Sequence, residues 1–116
     1  MTRLERRLKL QVRQEGAAAV VEVRGSAGMT EAEKLRATLE ELAGRKVPII
    51  VLDLTDMDFI SSAGLAAIIT AHLRSRHHQG QIRLVNPQPS VRDLLETTRL
   101  TKLFPICATV QQALAP

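Results

Sequence analysis

Two adjacent hydroxyls, Ser61 and Ser62, stand inside the stretch Asp58-Phe-Ile-Ser-Ser-Ala-Gly-Leu65. An almost unbroken apolar run, Ile49-Ile-Val-Leu52, comes before them, and apolar residues at helical spacing follow. A buried strand therefore delivers the chain to a tight bend that launches a helix. The first turn of a helix leaves backbone N–H groups unpaired, and with the helix dipole they favour an anion placed there. Ser62 is suited to carry a phosphate or to lie beside one. Ser61 or Ser62 can equally serve as the helix cap, its hydroxyl accepting from a first-turn N–H. Ala63 and Gly64 are small enough to let another protein come close to the backbone.

Other chemistries fit less well. A serine-hydrolase elbow needs Gly-x-Ser-x-Gly, and Ile60 stands where the first glycine belongs. His72 falls on the inner face of the helix as packing, while His77 and His78 sit at its polar end, where the dipole favours them. Asp53, Asp56 and Asp58 lack the spacing of a calcium loop and read as a polar turn. A receiver domain would want an acidic pair after an early strand and a Lys after the last one. Gly25-Ser-Ala-Gly28 and Ile106-Cys-Ala108 supply neither. No glycine-rich phosphate loop occurs, so no nucleotide, metal or other cofactor is implied.

The scaffold that must hold the serines is legible in outline. Leu8 to Val12 alternates as a strand with one wet face, Gln14-Glu15-Gly16 is a turn, and Ala17 to Val23 returns antiparallel. The first strand is expected at a sheet edge, and Gly25 to Met29 is expected as a loop. Thr30 with Glu33 makes a capping-box signature for a helix with Ala32, Leu35, Leu39 and Leu42 on one face. Glu41 pairs with Arg45 on the opposite side, and Gly44 ends this helix. Pro48 to Leu54 suits a central strand covered on both faces. A helix over Ser62 to Arg76 turns Leu65, Ile68, Ile69, His72 and Leu73 inward, and Gly80 breaks it. Ile82, Leu84 and Val85 form a strand that ends at Asn86-Pro87. Ser90 with Asp93 resembles another capping box, followed by Val91, Leu94, Leu95 and Thr98 at helical spacing. A short strand near Phe104 to Cys107 leads to a last short helix marked by Thr109 and Gln112. The order predicts a single α/β domain over residues 1–116, with a mixed, mostly parallel sheet and four helices.

Composition agrees with that outline. The 45% hydrophobic fraction can fill one core, and with only Phe59 and Phe104 aromatic the core must be aliphatic. The same scarcity argues against base-stacking platforms. The net charge of +4 raises nucleic acid as a partner. The basic residues Arg3, Arg6, Arg7, Lys9, Arg13, Lys34, Arg45, Lys46, Arg74, Arg76 and Arg99 nevertheless alternate with acids rather than form a stripe. No direct nucleic-acid binding is expected. The single Cys107, in an apolar setting, fits a reducing compartment. The N-terminal residues lack a signal peptide's apolar stretch, and no run approaches the roughly 18 apolar residues of a membrane span. A cytoplasmic protein without membrane insertion is the expectation.

The run Val47–Leu54 followed by Asp58-Phe-Ile-Ser-Ser-Ala-Gly-Leu65 resembles the signature of STAS domains, the family of bacterial anti-sigma factor antagonists. The resemblance extends to the Gly25 loop, the Val85-Asn86-Pro87 turn, the Val91-Arg-Asp-Leu-Leu95 helix and the closing Gln111-Gln-Ala-Leu114. In that family the switch serine lies two residues before the glycine, which implies Ser62, with Ser61 as second choice. The implied partner is an anti-sigma factor that is also an ATP-dependent serine kinase. The unphosphorylated domain binds it and frees the sigma factor; phosphorylation releases the domain, and a PP2C-type phosphatase resets it. The domain would be a substrate, not an enzyme. Ser61, Ser62, Ala63, Gly64, Gly28 and Met29 would form the contact surface, and a weak homodimer is a further expectation. Ser61 and Gly28 replace acidic residues frequent in the family, which makes the docking surface less acidic. The resemblance also admits an interaction subunit of a lipid-transport ABC system or a stressosome-like scaffold, in which Ser62 is never phosphorylated. A neighbouring kinase or phosphatase gene would favour the switch, and transporter genes the subunit.

Overall fold

The computed structural model describes residues 7–115, so the N-terminal segment read above, with Arg3 and Arg6, lies outside the described residues. Strands β1 (Lys9–Glu15) and β2 (Ala18–Ala27) form an antiparallel hairpin closed by Glu15 opposite Ala18. The later elements are α1 (Ala32–Gly44), β3 (Ile49–Asp53), β4 (Met57–Ile60) and α2 (Ser62–Arg76). They are followed by β5 (Gln81–Val85), α3 (Pro89–Thr97), β6 (Ile106–Cys107) and α4 (Val110–Leu114). The sheet runs β1-β2-β3-β5-β6, with β1 at the edge and the remaining neighbours parallel. The expected α/β fold, with its mixed sheet and, among the described residues, four α-helices, is present.

The central run of β3 is covered on both sides, as its unbroken apolar character requires. Ile50 and Leu52 join the main core with Leu35, Leu39, Ile82 and Leu84. Val51 faces the other way, into a smaller cluster with Val20, Val85 and Ala113 of α4. Arg83 holds α4 in place, its guanidinium donating to the carbonyls of Ala113 (2.6 Å) and Ala115 (2.8 Å). Cations near a helix C-terminus satisfy its unpaired carbonyls.

Several local expectations are corrected. The stretch expected as a loop from Gly25 is still strand through Ala27. Thr30 does not cap α1: the chain enters through a turn that leaves Glu31 at the cap in helical geometry, without a side-chain cap bond. Glu33 is taken by an ion pair with Arg36 instead of reaching back. Ser90 does not cap α3 either, because Pro89 at the first helical position starts the helix after Gln88 and puts Ser90 inside it. Thr109 does cap α4, accepting from the Gln112 N–H at 3.1 Å. On α2 the buried face is small: Gly64, Ala67, Ile68, Ala71, His72 and Ser75 turn inward, while Leu73 is 56% exposed. Apart from Ile68 and His72 the inward-facing residues of α2 are small, and Leu65 and Ile69 are half-buried against the same core from its flanks.

His72 is buried edge-on against Phe104, with ring centroids 5.1 Å apart, and neither ring nitrogen has a hydrogen-bond partner. Burial, and secondarily the Arg76 charge, lowers its pKa from the ordinary 6.5. The unfolded chain then binds more protons than the folded one as pH falls through 6.5 toward the lowered value. Stability from this group is therefore present above that window and lost below it. His72→Phe should remove that part of the acid sensitivity, as read by denaturant midpoints at several pH values. Parallel pH profiles for the two proteins would contradict this.

Candidate functional site

The start of α2 is built where two strands end together. At Gly25, φ is +91° and the register of β2 shifts between Gly25 and Ser26, a bulge that the missing Cβ makes easy. Beyond it β2 changes partner, from β3 to β4, with Ser26 opposite Phe59 and Ala27 opposite Ile60. The Gly25 N–H donates to the Asp56 carbonyl at 3.0 Å, and the Ser61 N–H donates to the Ala27 carbonyl at 2.8 Å. The Ser26 hydroxyl donates to the Asp58 carboxylate at 2.6 Å, a second tie between the two strand ends.

These ties set the two serines apart. Ser61 is buried, has extended backbone (φ −81°, ψ 170°), and accepts from the Gly64 N–H at 3.2 Å. It is the helix cap. Ser62 is the first residue of α2 and is exposed. The two sequence alternatives, capping and availability for an anion, are thus divided between neighbours. Gly64 is small for an internal reason: a Cβ there would stand 2.7 Å from Cγ1 of Ile60. Gly64 and Ser61 are both buried, whereas Ser62 between them is exposed.

Around Ser62 the surface is mixed. Ala63 and Gly28 are half-buried, and Met29 is 68% exposed. Phe59, 52% exposed on β4, lies at the same end of the sheet. Sequence reading passed over it as a contact, although an aromatic in a chain with two is a signal in itself. The three carboxylates expected as a polar turn are dispersed. Asp53 accepts from the N–H and hydroxyl of Thr55, Asp56 lies 3.9 Å from Arg24, and Asp58 holds Ser26. Gln88 and Asn86 donate to Thr55 from the neighbouring loop between β5 and α3. Among the described residues no group of three or more His, Cys, Asp or Glu could hold a metal ion. No helix there is long and apolar enough to cross a membrane.

A family model described as the STAS domain matches residues 9–113. The chain is 31% identical over 93 residues to BtrV of Bordetella bronchiseptica, named a candidate anti-sigma factor antagonist, and the match covers 80% of each chain. Among solved structures, an anti-sigma factor antagonist from Mycobacterium paratuberculosis superposes with a TM-score of 0.84 at 26% identity, over 92% of this chain and 91% of that one. SpoIIAA in its unphosphorylated form shares the fold with a TM-score of 0.81 at 20% identity, over 90% and 92% of the two chains. The phosphorylated form of SpoIIAA, from Bacillus, gives 0.74 at 19% identity, over 90% and 96%.

Proposed function

Because the chain belongs to the STAS domain family, we propose that it is an anti-sigma factor antagonist whose partner binding is switched at Ser62. The unphosphorylated domain binds an anti-sigma factor with serine-kinase activity and thereby frees the sigma factor. Transfer of the γ-phosphoryl group of ATP to the Ser62 oxygen releases the domain, and a PP2C-type phosphatase restores it. The observation that carries this reading is the division of labour between the two serines. Ser62 is exposed at the first position of a 15-residue helix, while Ser61 is buried with its hydroxyl engaged. A phosphate on Ser62 would meet the positive end of the helix dipole. Met29 and Phe59 give the surrounding surface two apolar anchors, the kind of side chain that carries binding energy when a partner excludes water from it.

Incubated with its cognate kinase and ATP, the protein should gain one phosphate, on Ser62. Fragment mass spectra decide the position. Phosphate on Ser61 or Thr55, or none at all, would defeat the assignment.

A further inference from the structure

Strand β1 closes one side of the sheet and, among the described residues, pairs only with β2. With Glu15 opposite Ala18 across a two-residue turn, the backbone groups of Lys9, Gln11, Arg13 and Glu15 bond to β2. Those of Leu10, Val12 and Gln14 point out of the sheet. An edge of seven residues in this state is a template for another strand.

We propose that this edge pairs with itself, two copies joining through antiparallel β1 strands about a two-fold axis at Val12. The strand reads Lys9-Leu-Gln-Val-Arg-Gln-Glu15, and its length and charges together favour one register, the axis at Val12 being the one that overlaps all seven residues. An axis at Val12 sets Leu10 opposite Gln14 and Val12 opposite its own copy, so the outward backbone groups meet outward groups. The same axis sets Lys9 opposite Glu15 twice and Gln11 opposite Arg13 twice. An axis at Gln11 would set Lys9 against Arg13, and one at Arg13 would set that residue against itself. Like charges directly opposite destabilise a strand pair, whereas opposite charges support it.

Two further features fit the second copy. Val12, 44% exposed, is one of few large apolar side chains on the surface and would be covered by its twin. A groove of about 550 Å³ between Leu8, Lys9 and Leu10 on one side and Lys34, Ala37 and Thr38 on the other flanks the strand. The register brings Gln14 of the second copy beside Leu10 on that face. Glu15 now lies 3.0 Å from Arg13, but with both side chains 45% exposed this pair is worth little and exchanges cheaply. β2 receives β1 along one edge and β3 and β4 along the other, so pairing leaves the Ser62 surface of each copy uncovered.

Analytical ultracentrifugation over a concentration series tests the proposal. The parent should show a monomer–dimer equilibrium. Lys9→Glu should weaken it roughly tenfold or more, since both symmetry-related attractions become repulsions. The double variant Lys9→Glu/Glu15→Lys should recover it, because each pair is reversed rather than lost. Val12→Pro should abolish the dimer and keep the fold, as seen by circular dichroism, because the N–H it removes points out of the sheet. A parent that is monomeric at every concentration overturns the proposal, as does a dimer indifferent to Val12→Pro or a double variant that does not recover.

Discussion

Ser62→Asp should lose most of its affinity for the kinase-type partner while melting within a few degrees of the parent. The two halves of this result rest on separate arguments. Ser62 stands at the first position of α2 with its side chain in water, so a carboxylate there keeps its hydration. It gains a dipole interaction of about 0.3–1 kcal/mol, as anions do at exposed helix N-termini. Nothing in the core is touched, because the buried cap belongs to Ser61. In a complex the same charge would be pressed against the partner and stripped of water, costing several kcal/mol unless a cation met it. A phosphate, with about −1.5 to −2 charge at neutral pH, does this more strongly. Ser62→Ala should fold, bind and resist release. Calorimetric titration of the three proteins, beside their thermal melts, checks the set. An Asp variant that binds as tightly as the parent, or that fails to bind only because it has unfolded, defeats the electrostatic block.

Ile50→Ala should cost roughly 2–5 kcal/mol of unfolding free energy. Ile50 is fully buried in the middle strand, between β2 and β5, with its side chain in the larger core. Truncation removes three carbons from water-excluded contact and leaves a cavity whose walls, themselves strand and helix, cannot close. Against the 5–15 kcal/mol that holds a typical domain together, this is a large fraction. Chemical denaturation measures it directly. A loss below about 0.5 kcal/mol is what a surface position gives and would contradict the burial of β3.

The layers of the fold were legible because they rest on periodicity. The Ile49–Leu52 run, the Ala32-Leu35-Leu39-Leu42 stripe and the Ser62–Arg76 helix all announce themselves in the order of side chains, and all are present. What was missed is short or depends on distant partners. β4 is four residues long, Met57-Asp-Phe-Ile60, too few for alternation to register, and it exists because the end of β2 is free to pair with it. The extension of β2 past Gly25 was hidden for the same reason. Capping boxes failed where backbone geometry overruled the side chain, at Glu31 by a turn and at Pro89 by its ring. On the inner face of α2, Ile68 and His72 are buried as expected and Leu65 and Ile69 half-buried, but Leu73 is exposed and apolar bulk does not point to the small residues beside them. Close helix packing adds Gly64, Ala67, Ala71 and Ser75 to that face. At the site itself both serines were recognised, but which one is buried depends on Ala27, thirty-four positions away from Ser61 in the chain and 2.8 Å from its N–H.

That dependence bears on how a modifying enzyme would choose between the neighbours. In an extended peptide the two hydroxyls are chemically equivalent primary alcohols, one residue apart. Only after β2 and β4 meet is one withdrawn and the other presented. On the proposed reading, the regiochemistry of phosphorylation would be a property of the assembled chain rather than of a local recognition sequence. Copies that have not finished folding, or have been heat-damaged, would offer both hydroxyls alike. A phosphorylation cycle acting on such a protein would also audit it, since only correctly built molecules could enter the cycle and be returned by it.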